Sequence, residues 1–320
     1  MNSPKVLFVS HDANRAGSQL LLLQLIKLLA REGIATHLLL CDNGELTNEF
    51  RSITSTTLLH GGKRTFFERV KSRYLSKLPV VGRYFRTSAH AGIQAATREL
   101  IQENIGLVFV NSVANAGFYE QHLSFLHHLP LVVFAHELEM SVTTYTRHDH
   151  LRFLLQKCDH LIAVSLAVAE FYVEKFGFSK RQVSTFTLIN TQEIGQKLAA
   201  TDHSYLEQQL NLPIDAIVIG GCGNAEWRKG NDIFNLIARE VISQLPEYPI
   251  YFVWVGAGPQ HPFYEQIRFD IERFGLENKI LLIPPTSKAL DIMTRFDIFL
   301  LSSREDPYPL VVLEAALLKK

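Results

Sequence analysis

The sequence predicts an α/β protein of two doubly wound domains, each a parallel sheet covered by helices on both faces. Three observations carry that expectation. The chain has 320 residues, more than one ordinary core holds and enough for two domains of roughly 100–200 residues. Short apolar runs alternate with longer helical patterns, as when crossover helices bury a parallel sheet. The runs also fall into two series, separated by the polar stretch 190–213, which has no strand pattern.

The first series is KVLFVS (5–10), THLLLC (36–41), GLVFVNS (106–112), LVVFAH (131–136) and HLIAVS (160–165). These runs are apolar throughout rather than alternating, which suits strands buried on both sides. Residues 20–30 (LLLLQLIKLLA) are interrupted by Gln24 and Lys27. They fall well short of the roughly 18 apolar residues of a membrane span and read as a buried helix. The second series is AIVIGG (216–221), IYFVWVG (250–256), ILLIPP (280–285) and DIFLLSS (297–303), with helices near 231–245, 260–276 and 288–295. The boundary is placed within Ile194 to Asp202, dividing the chain into residues 1–194 and 195–320. Two such domains are expected to face each other across a cleft, with ligands beyond the C-terminal strand ends.

Composition narrows the function classes. With 47% hydrophobic and 20% charged residues the chain is globular rather than disordered or fibrous. Lys+Arg 32 balance Asp+Glu 32, which argues against a nucleic-acid binder working through a global basic field. Cys41, Cys158 and Cys222 are far apart and form no CxxC pair, which suits a reducing compartment and gives no structural zinc site. After Lys5 only VLFV precedes polar Ser10 and His11, too short a run for a signal peptide, so a cytoplasmic protein is expected.

Charge is locally uneven. Between Arg51 and Ile101 ten basic residues face two acidic ones, interleaved with Phe66, Phe67, Tyr74, Tyr84 and Phe85. Arg69, Lys71, Arg73 and Lys77 are therefore candidates for contact with an anionic membrane surface or a polyanionic acceptor. The competing reading is a solvated helix face.

The residues just after each strand carry the chemistry. Gly17 and Ser18 open a helix after the first strand, where backbone N–H groups and the helix dipole favour a phosphate. The same pair would also serve as a plain turn and cap. The run 131–136 ends in His136-Glu137. A histidine there can hydrogen-bond a substrate hydroxyl, and Glu137 can fix its tautomer or bind sugar hydroxyls. His148-Asp149-His150 lacks a third distant ligand in recognisable spacing, and no metal is assigned.

In the second half, a glycine turn at Gly223 leads through Arg228, Lys229 and Gly230 into a helix. Two adjacent cations at a helix start beyond a parallel strand suit a diphosphate, although the GxxxxGK[ST] spacing of a Walker loop is absent. Gly256 and Gly258 give close backbone access after the next strand. After Ser302-Ser303 come a turn with Asp306, Pro307, Tyr308 and Pro309, then a helix carrying Glu314. Asp306 and Glu314 can both look into one cleft, one toward sugar hydroxyls and the other toward a ribose diol.

On these residues the chain resembles the GT-B glycosyltransferases of glycosyltransferase family 4, the retaining group that uses nucleotide-sugar donors. The family pattern of a glycine turn, Lys-Gly, a strand ending VGxGP and a strand ending in two spaced acids is met by Gly223, Lys229-Gly230, VGAGP (255–259) and SSREDPYPLVVLEA (302–315). The resemblance implies two Rossmann-like domains, the first binding acceptor and the second the nucleotide-sugar. It implies that Lys229 neutralises the donor diphosphate, Glu314 holds the ribose, Asp306 and His136 meet the transferred sugar, and Gly17 approaches the phosphates. Arg228, Gly256, Gly258, Tyr308, Pro309 and Leu310 complete the implied donor site.

Three departures stand out. The family's arginine after the glycine turn is Asn224, so Arg228 is expected to supply the second cation. The family's first glutamate is Asp306, one methylene shorter. The family continues past Glu314 with a further strand, a glycine-rich turn and helices, whereas this sequence stops at Lys320, so the second domain is expected to be incomplete. The implied activity is metal-independent, retaining hexosyl transfer from a UDP- or GDP-sugar to a glycan or lipid-linked acceptor. It belongs to cell-surface polysaccharide biosynthesis such as that of lipopolysaccharide, in the cytoplasm or peripheral to the inner membrane face. No cofactor beyond the nucleotide-sugar co-substrate is implied. Two other readings stay open: a nucleotide-sugar or glycan-binding protein without turnover, and a GT-B-like nucleotide-sugar epimerase.

Overall fold

The computed structural model describes residues 3–59, 92–188, 191–200, 210–261 and 263–320. Arg69, Lys71, Arg73 and Lys77, the expected membrane or acceptor surface, lie outside the described residues. The chain divides into two compact units, Met1–Leu188 and Ile189–Lys320. The boundary expected after residue 194 falls within the helix Thr191–Ala199 of the second unit.

The first unit holds a parallel sheet of β1 (Lys5–Ser10), β2 (Thr36–Leu40), β3 (Ser55–Leu58), β4 (Ile105–Asn111), β5 (Leu131–Ala135), β6 (His160–Ala163) and β7 (Val183–Thr185). Their order is β3-β2-β1-β4-β5-β6-β7. Leu38, Leu39 and Leu40 follow one another and are all fully buried, as are Leu7, Phe8 and Val9, so both faces of the sheet are covered. The helix Gly17–Arg31 supplies part of that cover through Leu21, Leu22, Leu23 and Ile26. Each such side chain contributes about 1.5–3 kcal/mol by leaving water. The five expected strands form within two residues of their predicted limits. The edge strands β3 (STTL) and β7 (VST) are additions that no apolar run announces.

The second unit holds β8 (Ile217–Cys222), β9 (Ile250–Val255), β10 (Ile280–Ile283) and β11 (Ile298–Phe299), all parallel and ordered β10-β9-β8-β11. The run DIFLLSS is a correction to the sequence reading, because only Ile298 and Phe299 pair, against Ile219 and Gly220 of β8. At the sheet edge, with Ile298 and Leu301 exposed, the rest of that run goes on as loop.

Both sheets reverse their order of strand addition, the first between β1 and β4 and the second between β8 and β11. At such switch points the connections leave in opposite directions and open a crevice beyond the carboxyl ends. The loops after these four strands are therefore where ligand chemistry is to be sought.

Candidate functional site

The second unit's switch point joins two loops. After β8 the chain makes a short 3-10 turn, Trp227–Lys229, and enters the helix Asn231–Gln244 through Gly230. Gly230 has φ +66, and a Cβ there would lie 2.0 Å from the Ser302 carbonyl oxygen. Only glycine allows that turn and that approach together.

Arg304, in the loop after β11, stitches the two loops. Its backbone N–H donates to the Arg228 carbonyl at 2.9 Å. Its guanidinium donates to the Trp227 carbonyl at 2.8 Å, binds both oxygens of Asp232 at 2.8 and 2.7 Å, and lies 4.5 Å over the Trp227 ring. The Ser302 hydroxyl donates to the Lys229 carbonyl at 3.3 Å. Arg304 is partly exposed, so Arg304→Ala is expected to cost only about 1–2 kcal/mol of stability. The fall in melting temperature of the variant measures that cost.

This stitching brings the expected charges together. Lys229 Nζ donates to Asp306 Oδ2 at 2.6 Å, and Arg228 Nη1 stands 3.6 Å from Asp306 Oδ1. Arg228 is anchored separately, donating to the Glu305 carbonyl at 2.9 Å with Glu226 at 3.6 Å. Glu314 rides on the helix Leu310–Leu317, which begins just after Tyr308 and Pro309. Burial pushes the Cys222 thiol at the end of β8 up to about 12; the Glu314 carboxylate adds to the rise and Lys229 opposes it.

The glycine turns after β8 and β9 touch. Gly223 donates to the Val255 carbonyl at 2.8 Å, and a Cβ on Gly256 would lie 2.6 Å from the Gly223 oxygen. The atoms nearest to where a Cβ on Gly258 would lie belong to the flexible Gln260 side chain, and the Gly258 N–H donates to His261 Nδ1 at 3.3 Å. Asn224, which replaces the expected arginine, donates to Glu226 at 3.3 Å.

The first unit gathers a second cluster around its own switch point. His136 follows β5, and its Nε2 is 2.9 Å from Asn111 Oδ1 at the end of β4, with the ring 4.2 Å from that of Phe134. With that oxygen as acceptor, Nε2 carries the proton and Nδ1 is left to accept from a hydroxyl. Burial, helped by the nearby His11 ring, pulls the His136 pKa down to about 3, so the imidazole is neutral at physiological pH.

Glu137 corrects the sequence reading. It accepts from the Ser112 hydroxyl and from the backbone N–H groups of Val113 and His136, at 3.4 and 2.9 Å, so the tautomer of His136 is set by Asn111 rather than by Glu137. Burial raises the Glu137 pKa against those three hydrogen bonds. Its partner Ser112 has φ 77, a conformation an L side chain adopts only when held there.

The sequence reading also missed Asn111, Ser112, His11, Asp12 and Gln19. The Gln19 amide lies 2.9 Å from His11 Nε2 and 2.7 Å from Asp12 Oδ1, and His11 Nδ1 is buried without a hydrogen-bond partner among the described residues. Their signal was position, since HD directly follows β1 and NS closes β4. The helix start at Gly17 is uncapped: Ala16 offers no side-chain bond, the first turn has no acid, and a Cβ on Gly17 would meet nothing within 4 Å.

The His136 shift has a measurable sign. Because its folded pKa lies below the ordinary 6.5, the stability it contributes is present above that value and is lost as pH falls toward 3. The slope is at most about 1.4 kcal/mol per pH unit. Glu137 works in the opposite sense, its contribution being lost as pH rises through its raised folded value. Subtracting the pH profile of thermal stability for His136→Gln from that of the wild type should isolate the histidine, with the difference growing between pH 6.5 and 4.

Comparison with known proteins gives the family and the fold. The model described as Glycosyltransferase Family 4 matches residues 16–186, and that described as Glycosyl transferases group 1 matches residues 216–320. The O-antigen biosynthesis glycosyltransferase WclY of Escherichia coli is 29% identical over 110 residues, covering 34% of this chain and 28% of that protein. The match thus spans less than a third of that relative's length. Among solved structures, Anabaena Alr3699/HepE in complex with UDP and glucose superposes with TM-score 0.68 at 18% identity, covering 99% of this chain and 79% of that one. WaaG, a glycosyltransferase involved in lipopolysaccharide biosynthesis, gives TM-score 0.66 at 12% identity, covering 98% and 79%.

Proposed function

The chain belongs to Glycosyltransferase Family 4 and has the GT-B fold, and from that premise we propose that it is a retaining, metal-independent hexosyltransferase using a nucleotide-sugar donor. The observation that carries the reading is the pair Arg228 and Lys229, presented at the β8/β11 switch point beside Asp306 and the start of a helix. Breaking a sugar–phosphate bond builds negative charge on the departing diphosphate. Two cations and a helix N-terminus stabilise that charge where it develops.

Glu314 is assigned the ribose diol, the backbone at Gly256 and Gly258 close approach to the nucleotide, and Tyr308, Pro309 and Leu310 the turn that presents the donor. Neutral His136 and Asp306 are assigned to hydroxyls of the transferred sugar, and the open helix start at Gly17 to the phosphates. The acceptor oxygen attacks the anomeric carbon on the face the diphosphate leaves, and the leaving phosphate oxygen takes the acceptor's proton.

A uridine donor is favoured over guanosine because the HepE structure was solved with UDP and glucose. A glycan or lipid-linked acceptor in cell-surface polysaccharide assembly is favoured by the names of WclY and WaaG. Among the described residues no helix is long and apolar enough to cross a membrane. We place the enzyme in the cytoplasm, working at the inner membrane face. Binding without turnover is the second reading, favoured by the engagement of the short Asp306 side chain with Lys229.

Calorimetric titration with UDP-, GDP- and ADP-sugars, followed by NMR of the product anomer, tests the proposal. Saturable binding to one nucleotide class that needs Glu314, with the anomeric configuration kept on transfer, is the expected outcome. Absence of binding to every donor by a folded chain overturns it.

A further inference from the structure

We infer that Asp306 is the internal counter-anion of the diphosphate site, occupying its cations until a donor displaces the carboxylate and frees it toward the sugar. The inference rests on the reading of Arg228 and Lys229 as diphosphate ligands. Asp306 Oδ2 accepts from Lys229 Nζ at 2.6 Å and from the Ser303 hydroxyl at 3.2 Å, while Oδ1 faces Arg228 at 3.6 Å. The Asp306 side chain is 9% exposed and that of Lys229 15%, so water screens the pair little. A phosphate oxygen arriving at the same ammonium meets a like charge at close range in a poorly screened place. The two anions cannot share the cations without strong repulsion.

Which group gives way follows from what else holds it. Arg228 is anchored to the Glu305 carbonyl and faces Glu226. The methylenes of Lys229 run alongside Gly223, 3.2–3.5 Å from where a Cβ would be, and its backbone is tied to Glu226 and Ser302. Among the described residues the Asp306 carboxylate meets the two cations and the Ser303 hydroxyl. The cations are therefore the fixed part of the site and the carboxylate is the moving part. Donor binding and presentation of Asp306 become one event, and the empty site is electrically quenched against weaker anions. The aspartate, shorter than the glutamate expected from the family pattern, seats its carboxylate directly on Lys229.

The test compares the wild-type chain with Asp306→Asn, Asp306→Ser and Lys229→Ala, titrated with UDP, GDP and inorganic pyrophosphate. Melting temperature establishes that each is folded. The Asn variant should bind its preferred diphosphate and pyrophosphate about tenfold more tightly than wild type, the worth of one charge-assisted hydrogen bond released, while sugar transfer falls. The Ser variant makes the same comparison if the Asn variant fails to fold. Equal or weaker binding by both, with wild-type binding lost in Lys229→Ala, overturns the inference and leaves the diphosphate reading standing. Binding by none of the four proteins overturns both.

Discussion

Lys229→Ala is expected to lower sugar transfer at least a hundredfold and to remove detectable nucleoside diphosphate binding, while the second unit stays folded. The size follows from the role. A positioned donor aimed at developing charge in a shielded site is worth about 10²–10³ in rate, and Lys229 is only 15% exposed. Folding survives because the backbone of residue 229 keeps its own bonds, donating to the Glu226 carbonyl at 2.9 Å and accepting from the Ser302 hydroxyl. The orphaned Asp306 retains Ser303 and Arg228. Lys229→Arg should rescue poorly, because a planar fork cannot reproduce a point charge threaded past Gly223. Calorimetry and a transfer assay on the same preparations decide the matter. Unchanged binding in the alanine variant would reduce the Lys229–Asp306 pair to a structural ion pair.

The strands were legible wherever burial on both faces demanded an unbroken apolar run, as in LFV of β1 and LLL of β2. They were illegible where pairing rather than burial makes the strand. Thr57 and Ser55 of β3 exist as a strand because they dock on β2, with the buried His37 ring bonded to both hydroxyls at 2.7 and 3.1 Å. Nothing in STTL announces that partnership. The opposite error at DIFLLSS has the same root, since hydrophobicity promises a strand only while a neighbour is there to pair with it.

In the second unit the candidate site was legible because its parts are contiguous in sequence: Arg228-Lys229-Gly230 in one loop, Ser302 to Asp306 in the other. The contacts between those loops span more than seventy positions, and no local pattern encodes them. In the first unit His136 was visible but its setting was not. Asn111 meets His136, and Ser112 meets Glu137, only because β4 pairs with β5 in the register Asn111↔Phe134, which brings the two strand ends level. A single sequence shows which residues end strands, whereas the sheet order decides which ends meet.

Gly230→Ala has the largest expected effect on stability, and it couples that effect to the site. At φ +66 an L side chain costs about 1–2 kcal/mol. A Cβ placed 2.0 Å from the Ser302 carbonyl oxygen adds about 1–3 kcal/mol, because backbone must move to relieve it. The sum predicts a fall in melting temperature on the order of 10 °C for the second unit. The displacement also separates the loops that Arg304 and Ser302 hold together, so nucleotide binding should fall more than tenfold in whatever fraction remains folded. Gly275→Ala is the matched control. Gly275 ends the helix Tyr264–Phe274 at φ +67, and a Cβ there meets nothing within 4 Å. That variant bears the conformational cost alone, about 1–2 kcal/mol, and keeps nucleotide affinity. Melting curves and titrations of the two variants side by side separate left-handed strain from the loop contact. If Gly230→Ala melts no lower than Gly275→Ala and binds as wild type does, the approach of Gly230 to Ser302 is dispensable, and the two loops are positioned by their side chains alone.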